Sequence, residues 1–169
     1  MADAEAIAAV HIASWVATYE GRRPDHAHRT YVWTWRLREP EPGRHTVVAV
    51  EGRSVIGFVH FGPSPDSEDD PAVVGHVFSL HVDPEHARRG VGRRLLDRAE
   101  SAFRASGRVV ATLWVVSANR PARRFYDKAG WRPDGTARRE TLALEGEPGE
   151  EVDVVRYRIR LHAAPGGDA

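Results

Sequence analysis

The sequence has no cysteine among its 169 residues. This absence excludes a disulfide framework, a thiol nucleophile and a thiolate-ligated metal. No apolar run approaches the length that crosses a bilayer, and the first residues, Met1 to Glu5, lack the basic start of a signal peptide. We therefore expect a protein that does not associate with membranes and that is located in the cytoplasm.

The chain also lacks an excess of charge of either sign. Its 24 lysines and arginines are balanced by 24 aspartates and glutamates, which gives a formal net charge of +0. Because proteins dedicated to nucleic acids normally carry a basic excess, we expect no nucleic-acid partner. His26 and His28 have neither helical metal-ligand spacing nor an evident carboxylate partner, so we expect no metal site.

Helical and strand patterns alternate along the chain and predict a mixed α/β domain. Helices are predicted at 4–19, 29–38, from Val91 to Gly107 and from Pro121 to Gly130, and strands at 46–50, 54–61, 73–82, 109–116, 140–144 and 152–161. The length favours one domain, residues 1–162, followed by a flexible tail, residues 163–169. The acidic residues of loop 63–71, Asp66 among them, are expected to be solvated.

A glycine-containing turn at residues 88–94 joins a predicted strand to an amphipathic helix. Gly90 and Gly92 carry no Cβ, so a ligand can approach the backbone closely. The unpaired N–H groups at a helix start favour an anionic group such as a phosphate. Positive charge around the turn is supplied by Arg88, Arg89, Arg93 and Arg94. Taken alone, this pattern fits a tight turn before a solvated basic helix equally well.

A second motif follows the apolar strand 109–116 and runs Asn-Arg-Pro-Ala-Arg-Arg-Phe-Tyr-Asp-Lys-Ala-Gly-Trp from Asn119 to Trp131. Together with Arg-Arg-Gly-Val-Gly at 88–92, it strongly resembles the GNAT superfamily of N-acetyltransferases. The resemblance covers most of the chain from Thr46 to Leu161. It implies a central mixed, mostly antiparallel sheet that is splayed between the fourth and fifth family strands and flanked by helices. It also implies an enzyme that moves the acetyl group of acetyl-coenzyme A (acetyl-CoA) directly to a primary amine.

The resemblance assigns residues to the co-substrate acetyl-CoA, with no metal. The strand before the turn would pair its backbone with the pantetheine arm, through Leu80, His81 and Val82. The backbone of the turn would bind the pyrophosphate, through Arg88, Arg89, Gly90, Val91, Gly92 and Arg93, with Arg94 adding charge. Asn119 would lie near the pantetheine and Tyr126 beside the thioester sulfur.

Two departures from the family pattern stand out. Ala87 occupies a position where the family often has Gln or Arg, so one phosphate contact is lost or replaced by Arg88. The short strand that commonly precedes the first helix is not evident in the sequence, and this difference would alter the acceptor cleft.

Tyr126 and His76 are the catalytic candidates. Many relatives place a glutamate base six residues before the position of Val82, and His76 stands there in this chain; an imidazole can accept a proton near neutral pH. A structural strand histidine fits that spacing equally well. We expect His81 to point to the opposite face from His76 and to pack there. Tyr126 is interpreted as the general acid, although its helix position also suits a core residue.

The acceptor end and the partners are less defined. Four aromatic residues near the N-terminus are expected mainly in the core, with one reaching the cleft: Trp15, Tyr19, Trp33 and Trp35. The acceptor is expected to be a small-molecule or peptide amine, and a homodimer is a frequent assembly of the family. The alternative functions are a non-catalytic acyl-CoA-binding sensor and an interaction module on the same fold.

Overall fold

The structure is a computed structural model that describes residues 2–19, 24–142 and 149–161. Two helices come first, α1 (Ala2–Thr18) and α2 (His26–Arg38), followed by three strands, β1 (His45–Glu51), β2 (Ser54–Pro63) and β3 (Val74–Val82). A short 3-10 turn (Pro84–His86) leads to α3 (Val91–Ala105), β4 (Val110–Val116) and α4 (Arg120–Lys128). The last strands are β5 (Arg132–Leu142) and β6 (Glu150–Arg160).

The six strands form one sheet in the order β1-β2-β3-β4-β6-β5. The β3–β4 pair is parallel, and the other four pairs are antiparallel. The β3–β4 register ends where Val77 lies opposite Leu113, so residues 78–82 of β3 continue without partners on β4. The predicted mixed, mostly antiparallel and splayed sheet is confirmed.

Helices cover both faces of the sheet. Apolar residues of α3 recur at helical spacing and pack with the buried Leu113, Trp131 and Tyr157 into one core. On the opposite face α1 and α2 form a second core, in which Trp33 and Phe58 are fully buried. The sheet is therefore held from both sides, and the gap between β3 and β4 opens between two fixed layers. Within the described segments, no helix has the length and apolarity needed to span a membrane.

A β-bulge in β3 changes which side chains share a face. The register pairs His60 with Ser79 and Phe61 with Val77, so Phe78 is the additional residue. As a result His76 lies opposite Gly62 and His81 opposite Phe58, two positions of β2 that are four residues apart and so share a face. The expectation that His81 points away from His76 was wrong, because simple alternation fails across a bulge.

The last part of the sheet also differs from the expectation. β5 begins at Arg132, eight residues before the predicted start at Glu140. Most of its residues are exposed because β5 is an edge strand, and its pairing with β6 is what makes it a strand. The predicted strand end at residues 143–144 and the predicted tail at 163–169 lie outside the described residues. Among residues 2–19 no strand precedes α1.

Candidate active site

The gap between β3 and β4 widens into a cavity of about 540 Å³. α1 closes one side of it, β5 closes the other, and the splayed strands and the start of α4 form the remaining walls. Five of the predicted site residues line this one cavity: His76, Leu80, His81, Asn119 and Tyr126.

His76 lies on β3, one position before the pairing with β4 ends. It is 4% exposed, and its Nδ1 lies 2.9 Å from the hydroxyl oxygen of Thr112 on β4. Burial lowers the pKa of His76 to about 4, an effect that the nearby carboxylate of Asp66 partly opposes. The imidazole is therefore neutral near pH 7 and able to accept a proton.

Tyr126 faces the cavity from the opposite wall. Rings of Phe125, Trp131 and Tyr157 surround it at centroid distances of 5.1, 6.3 and 6.0 Å. Burial raises the pKa of its hydroxyl, so the group stays protonated. Tyr126 is thus both a core residue of α4 and a cavity residue, which makes the two interpretations of its position compatible.

Asn119 lines the cavity at the start of α4. Its side-chain oxygen accepts the backbone N–H of Ala122 at 3.1 Å and caps α4. Burial raises the pKa of the hydroxyl of Tyr19, just after α1, and the side chain of Asn119 partly opposes this effect. Tyr19 and Asn119 both line the cavity.

The glycine turn leads into α3 beside this cavity. Gly90 has φ of 79° and Arg88 has φ of 62°, so both adopt the left-handed conformation. Gly90 caps α3 without a side-chain hydrogen bond, which leaves the first N–H groups of the helix available. A Cβ on Gly92 would lie 3.5 Å from the Phe125 ring, an ordinary contact. These features suit the close approach of an anionic group to the backbone.

Arginine side chains of the turn make hydrogen bonds and ion pairs within the protein, which the sequence did not predict. Arg93 donates to the carbonyl of Ala129 at 2.9 Å and pairs with Asp97 at 2.7 Å. Arg89 lies 3.7 Å from Glu51. Among the described residues, neither those of the turn nor Val82 line the 540 Å³ cavity. The side chain of Arg93 is consequently fixed to α4, and the turn offers mainly its backbone.

The far end of the cavity contains an ion-pair cluster that the sequence reasoning missed. Arg138 of β5 lines the cavity, binds Glu140 through its Nε at 2.8 Å and lies 4.0 Å over the Trp114 ring. Asp66 accepts from Trp114 at 3.1 Å and pairs with Arg138 at 3.2 Å.

The cluster overturns the expectation that Asp66 is solvated. Asp66 is 7% exposed, and Arg156 also approaches it, at 3.4 Å. Loop 63–71 is therefore attached to β5 and β6. The partners of Asp66 are 72 and 90 residues away in the chain, so no local pattern indicates them.

The aromatic residues near the N-terminus divide into two groups. Trp33 is fully buried in the core, whereas Trp35 is 47% exposed. Trp15 and Tyr19 line the cavity. Two of the four aromatic residues reach the cleft, where the sequence analysis expected one.

The profile of the Acetyltransferase (GNAT) family matches residues 8–131. A Mycobacterium tuberculosis protein named as a probable N-acetyltransferase is 31% identical over 119 residues, which are 70% of this chain and 62% of that protein. The mycothiol acetyltransferase of Beutenbergia cavernae is 40% identical over 62 residues, which are 37% of this chain and 21% of that protein.

A solved structure supports the fold. The Salmonella typhimurium protein yncA, determined with its cofactor acetyl-CoA, is 23% identical and superimposes with a TM-score of 0.67 over 99% of this chain and 94% of that one. The match of the chain covers less than two thirds of the length of both curated relatives described above. The family profile, which matches well over half of the residues, decides the membership. The chain belongs to the Acetyltransferase (GNAT) family.

Proposed function

We propose that this chain transfers the acetyl group of acetyl-CoA directly to a primary amine of a small molecule or peptide. The observation that carries this proposal is the cavity in the sheet gap, with His76 on one wall and Tyr126 on another. A neutral base and a protonated hydroxyl facing one cavity are the two groups that direct amine acylation needs. No covalent enzyme intermediate is required, in keeping with a sequence without cysteine.

The residues present fit an acyl-CoA. Beyond Val77 the edge of β3 that faces β4 has lost its strand partner, and backbone groups left this way need hydrogen-bond partners. Leu80, His81 and Val82 would supply them to an extended amide-containing arm, as an added strand does. The turn from Arg88 to Arg93 would hold the phosphates through its backbone. When bound, acetyl-CoA supplies the thioester that carries the acetyl group.

His76 would act as the base. The attacking amine must lose a proton as the new bond forms, and a neutral imidazole accepts it directly or through a water molecule. Because burial lowers the pKa of His76 to about 4, the protonated imidazole would readily release the accepted proton, to water or to the departing thiolate. Tyr126 would place its O–H beside the sulfur and donate a hydrogen bond to the developing negative charge.

The acceptor would enter at the end bounded by Trp114, Arg138 and Glu140. A paired guanidinium and carboxylate on one rim suit an acceptor with polar groups around its amine. The names of the relatives support acetyl transfer, and the mycothiol acetyltransferase supports a small-molecule acceptor. The expectations of a cytoplasmic location, of a homodimer and of one domain at residues 1–162 stay predictions.

The decisive experiment is an amine-library screen with acetyl-CoA, read by mass spectrometry of acetylated products. We expect turnover with at least one class of amine. In the His76→Gln variant, kcat should fall by about 100-fold or more, the usual contribution of a general base. The matched control is His26→Gln, because His26 is an exposed residue of α2 outside the cavity.

Two outcomes would contradict the proposal. Binding of acetyl-CoA without turnover of any amine would identify an acyl-CoA-binding sensor. Absence of acetyl-CoA binding in calorimetry would identify an interaction module. Unchanged kcat in His76→Gln, with turnover in the wild type, would remove His76 from the role of base while leaving acetyl transfer intact.

A further inference from the structure

We infer that Thr112 is a positioning residue that fixes the tautomer of His76, so that Nδ1 carries the proton and Nε2 carries the lone pair. This inference rests on the proposed function, in which His76 takes the proton of the amine. Thr112 was not among the predicted site residues. The sequence does contain a signal for it, because Thr112 is the only polar residue in the apolar run 109–116.

The topology brings the two residues together. His76 and Thr112 are register partners on the parallel pair β3–β4, one position before the pairing ends at Val77 and Leu113. The last paired residues of β3 and β4 therefore lie where the two strands begin to separate, and His76 lines the cavity there. Thr112 has no exposed surface, so its hydroxyl must find its hydrogen-bond partners within the protein.

The tautomer follows once the proton of the Thr112 hydroxyl is assigned. A threonine hydroxyl has one proton to donate. We assign this proton to the backbone carbonyl of Gly75, whose oxygen lies 3.3 Å from the hydroxyl oxygen. The oxygen of Thr112 lies 2.9 Å from Nδ1 of His76, and with its own proton already donated it accepts the proton of Nδ1. A neutral imidazole that carries its proton on Nδ1 has its lone pair on Nε2.

The backbone at Gly75 has little freedom to move away from this arrangement. A Cβ at this position would lie 2.5 Å from ring carbons of Phe103, which is itself buried in α3. α3 therefore packs directly on the strand at this point, and the carbonyl that receives the Thr112 proton is held in place. Gly75, Thr112 and His76 form a continuous chain of contacts from the core to the cavity.

The consequence is chemical and not only structural. A histidine with the opposite tautomer would present an N–H where the base needs a lone pair, and a wrong tautomer is very costly in enzymes that rely on histidine bases. A bond that merely tied the strands together would not depend on which nitrogen carries the proton. This difference makes the inference testable.

The first test is the protonation pattern of the histidine ring, measured by long-range ¹H–¹⁵N correlation on the full chain with ¹⁵N-labelled histidine near neutral pH. The signal of His76 is assigned as the one lost in His76→Gln. We expect a protonated Nδ1 and an unprotonated Nε2. A proton on Nε2 in the wild-type protein would overturn the inference.

The second test compares Thr112→Val, which removes the hydroxyl, with Thr112→Ser, which keeps it. In Thr112→Val we expect kcat to fall by about 100-fold or more, as when a base is left in the wrong tautomer or misplaced. The KM for acetyl-CoA should stay within about twofold, because Thr112 does not line the cavity. Thr112→Ser should keep both kcat and the wild-type tautomer.

Each result has a defined meaning. Wild-type kcat in a folded Thr112→Val would overturn the inference, as would loss of the tautomer in Thr112→Ser. If Thr112→Val does not fold, the wild-type and Thr112→Ser spectra decide whether Nδ1 of His76 carries the proton. If His76→Gln retains full activity, the proposed role of His76 as base fails, and the tautomer is still established or refuted by the spectra alone.

Discussion

Burial keeps both catalytic candidates neutral over a wider pH range than the free side chains would have. Burial penalises the charged form, so the pKa of His76 is lowered to about 4 and the pKa of Tyr126 is raised. A thiol has a pKa of about 8.5, so a buried tyrosine is a weaker acid than the thiol it would protonate. Tyr126 is therefore better suited to stabilising charge on the sulfur by a hydrogen bond than to giving up its proton completely.

Tyr126→Phe tests this role. The substitution removes one hydroxyl and keeps the ring contacts with Phe125, Trp131 and Tyr157. We expect kcat to fall by about 100-fold or more, the scale of one lost donor to developing charge. Affinity for acetyl-CoA, measured by calorimetry, should stay within about twofold.

Tyr157→Phe is the matched control. It also removes the hydroxyl of a buried tyrosine, one that accepts a hydrogen bond from Arg123 at 3.3 Å and does not line the cavity. It should lower stability by about 1 kcal/mol and leave kcat unchanged. Equal kcat values for Tyr126→Phe and the wild type would exclude a catalytic role for the hydroxyl.

At the scale of the element, periodicity predicted the existence of α3, β3 and β4, and the resemblance predicted the splay. Neither predicted the bulge in β3 or the start of β5, because both features depend on partners distant in sequence. The bulge at Phe78 is a mismatch in register between β2 and β3, so the sequence of β3 alone does not predict it. The early start of β5 follows from its pairing with β6, since its exposed charged residues have no strand-like pattern.

The site shows the same division between local and long-range information. The family resemblance assigned His76, Asn119 and Tyr126 to one site, and all three line the cavity. Arg138 and Glu140 belong to a strand whose start was not recognised, and they were missed. Thr112 was visible as an isolated polar residue, but its partner depends on the parallel pairing of β3 with β4.

The start of α3 gives a prediction for Gly92→Ala. The added Cβ would meet Phe125 at 3.5 Å and Val82 at 3.6 Å, ordinary distances, and alanine favours a helix by about 1 kcal/mol over glycine. We expect thermal stability without ligand to be unchanged or slightly raised. Affinity for coenzyme A should fall by about tenfold, because the methyl group occupies the approach to the N–H groups.

Calorimetry with coenzyme A and thermal unfolding of the free protein separate the two effects. Ser101→Ala, at an exposed position of the same helix, is the control and should change neither quantity. An unchanged Kd in Gly92→Ala would show that the phosphates do not approach the backbone at this position.

At the scale of the whole molecule, the face of the sheet under α1 and α2 contains a group of histidines kept neutral by their surroundings. Burial lowers the pKa of His11 to about 2 and the pKa values of His60, His76 and His81 to about 4. The His11 and His81 rings are 4.3 Å apart, so protonating either one places a charge against the other. These residues come from α1, β2 and β3, and their protonation is coupled to the packing of the entire face.

This group makes the fold sensitive to acid, with a definite sign. The unfolded chain binds protons on histidine below pH of about 6.5, whereas the folded state does not until about pH 4. The free energy of unfolding should therefore fall as the pH decreases through this window, by up to about 1.4 kcal/mol per pH unit for each histidine. Urea unfolding at several pH values between about 7 and 5 measures the slope, before carboxylates contribute strongly. His81→Gln should reduce this slope by the contribution of one histidine. His26→Gln, on the exposed start of α2, should leave the slope unchanged. A free energy of unfolding that stays constant over this range, or a wild-type slope in His81→Gln, would contradict the coupling.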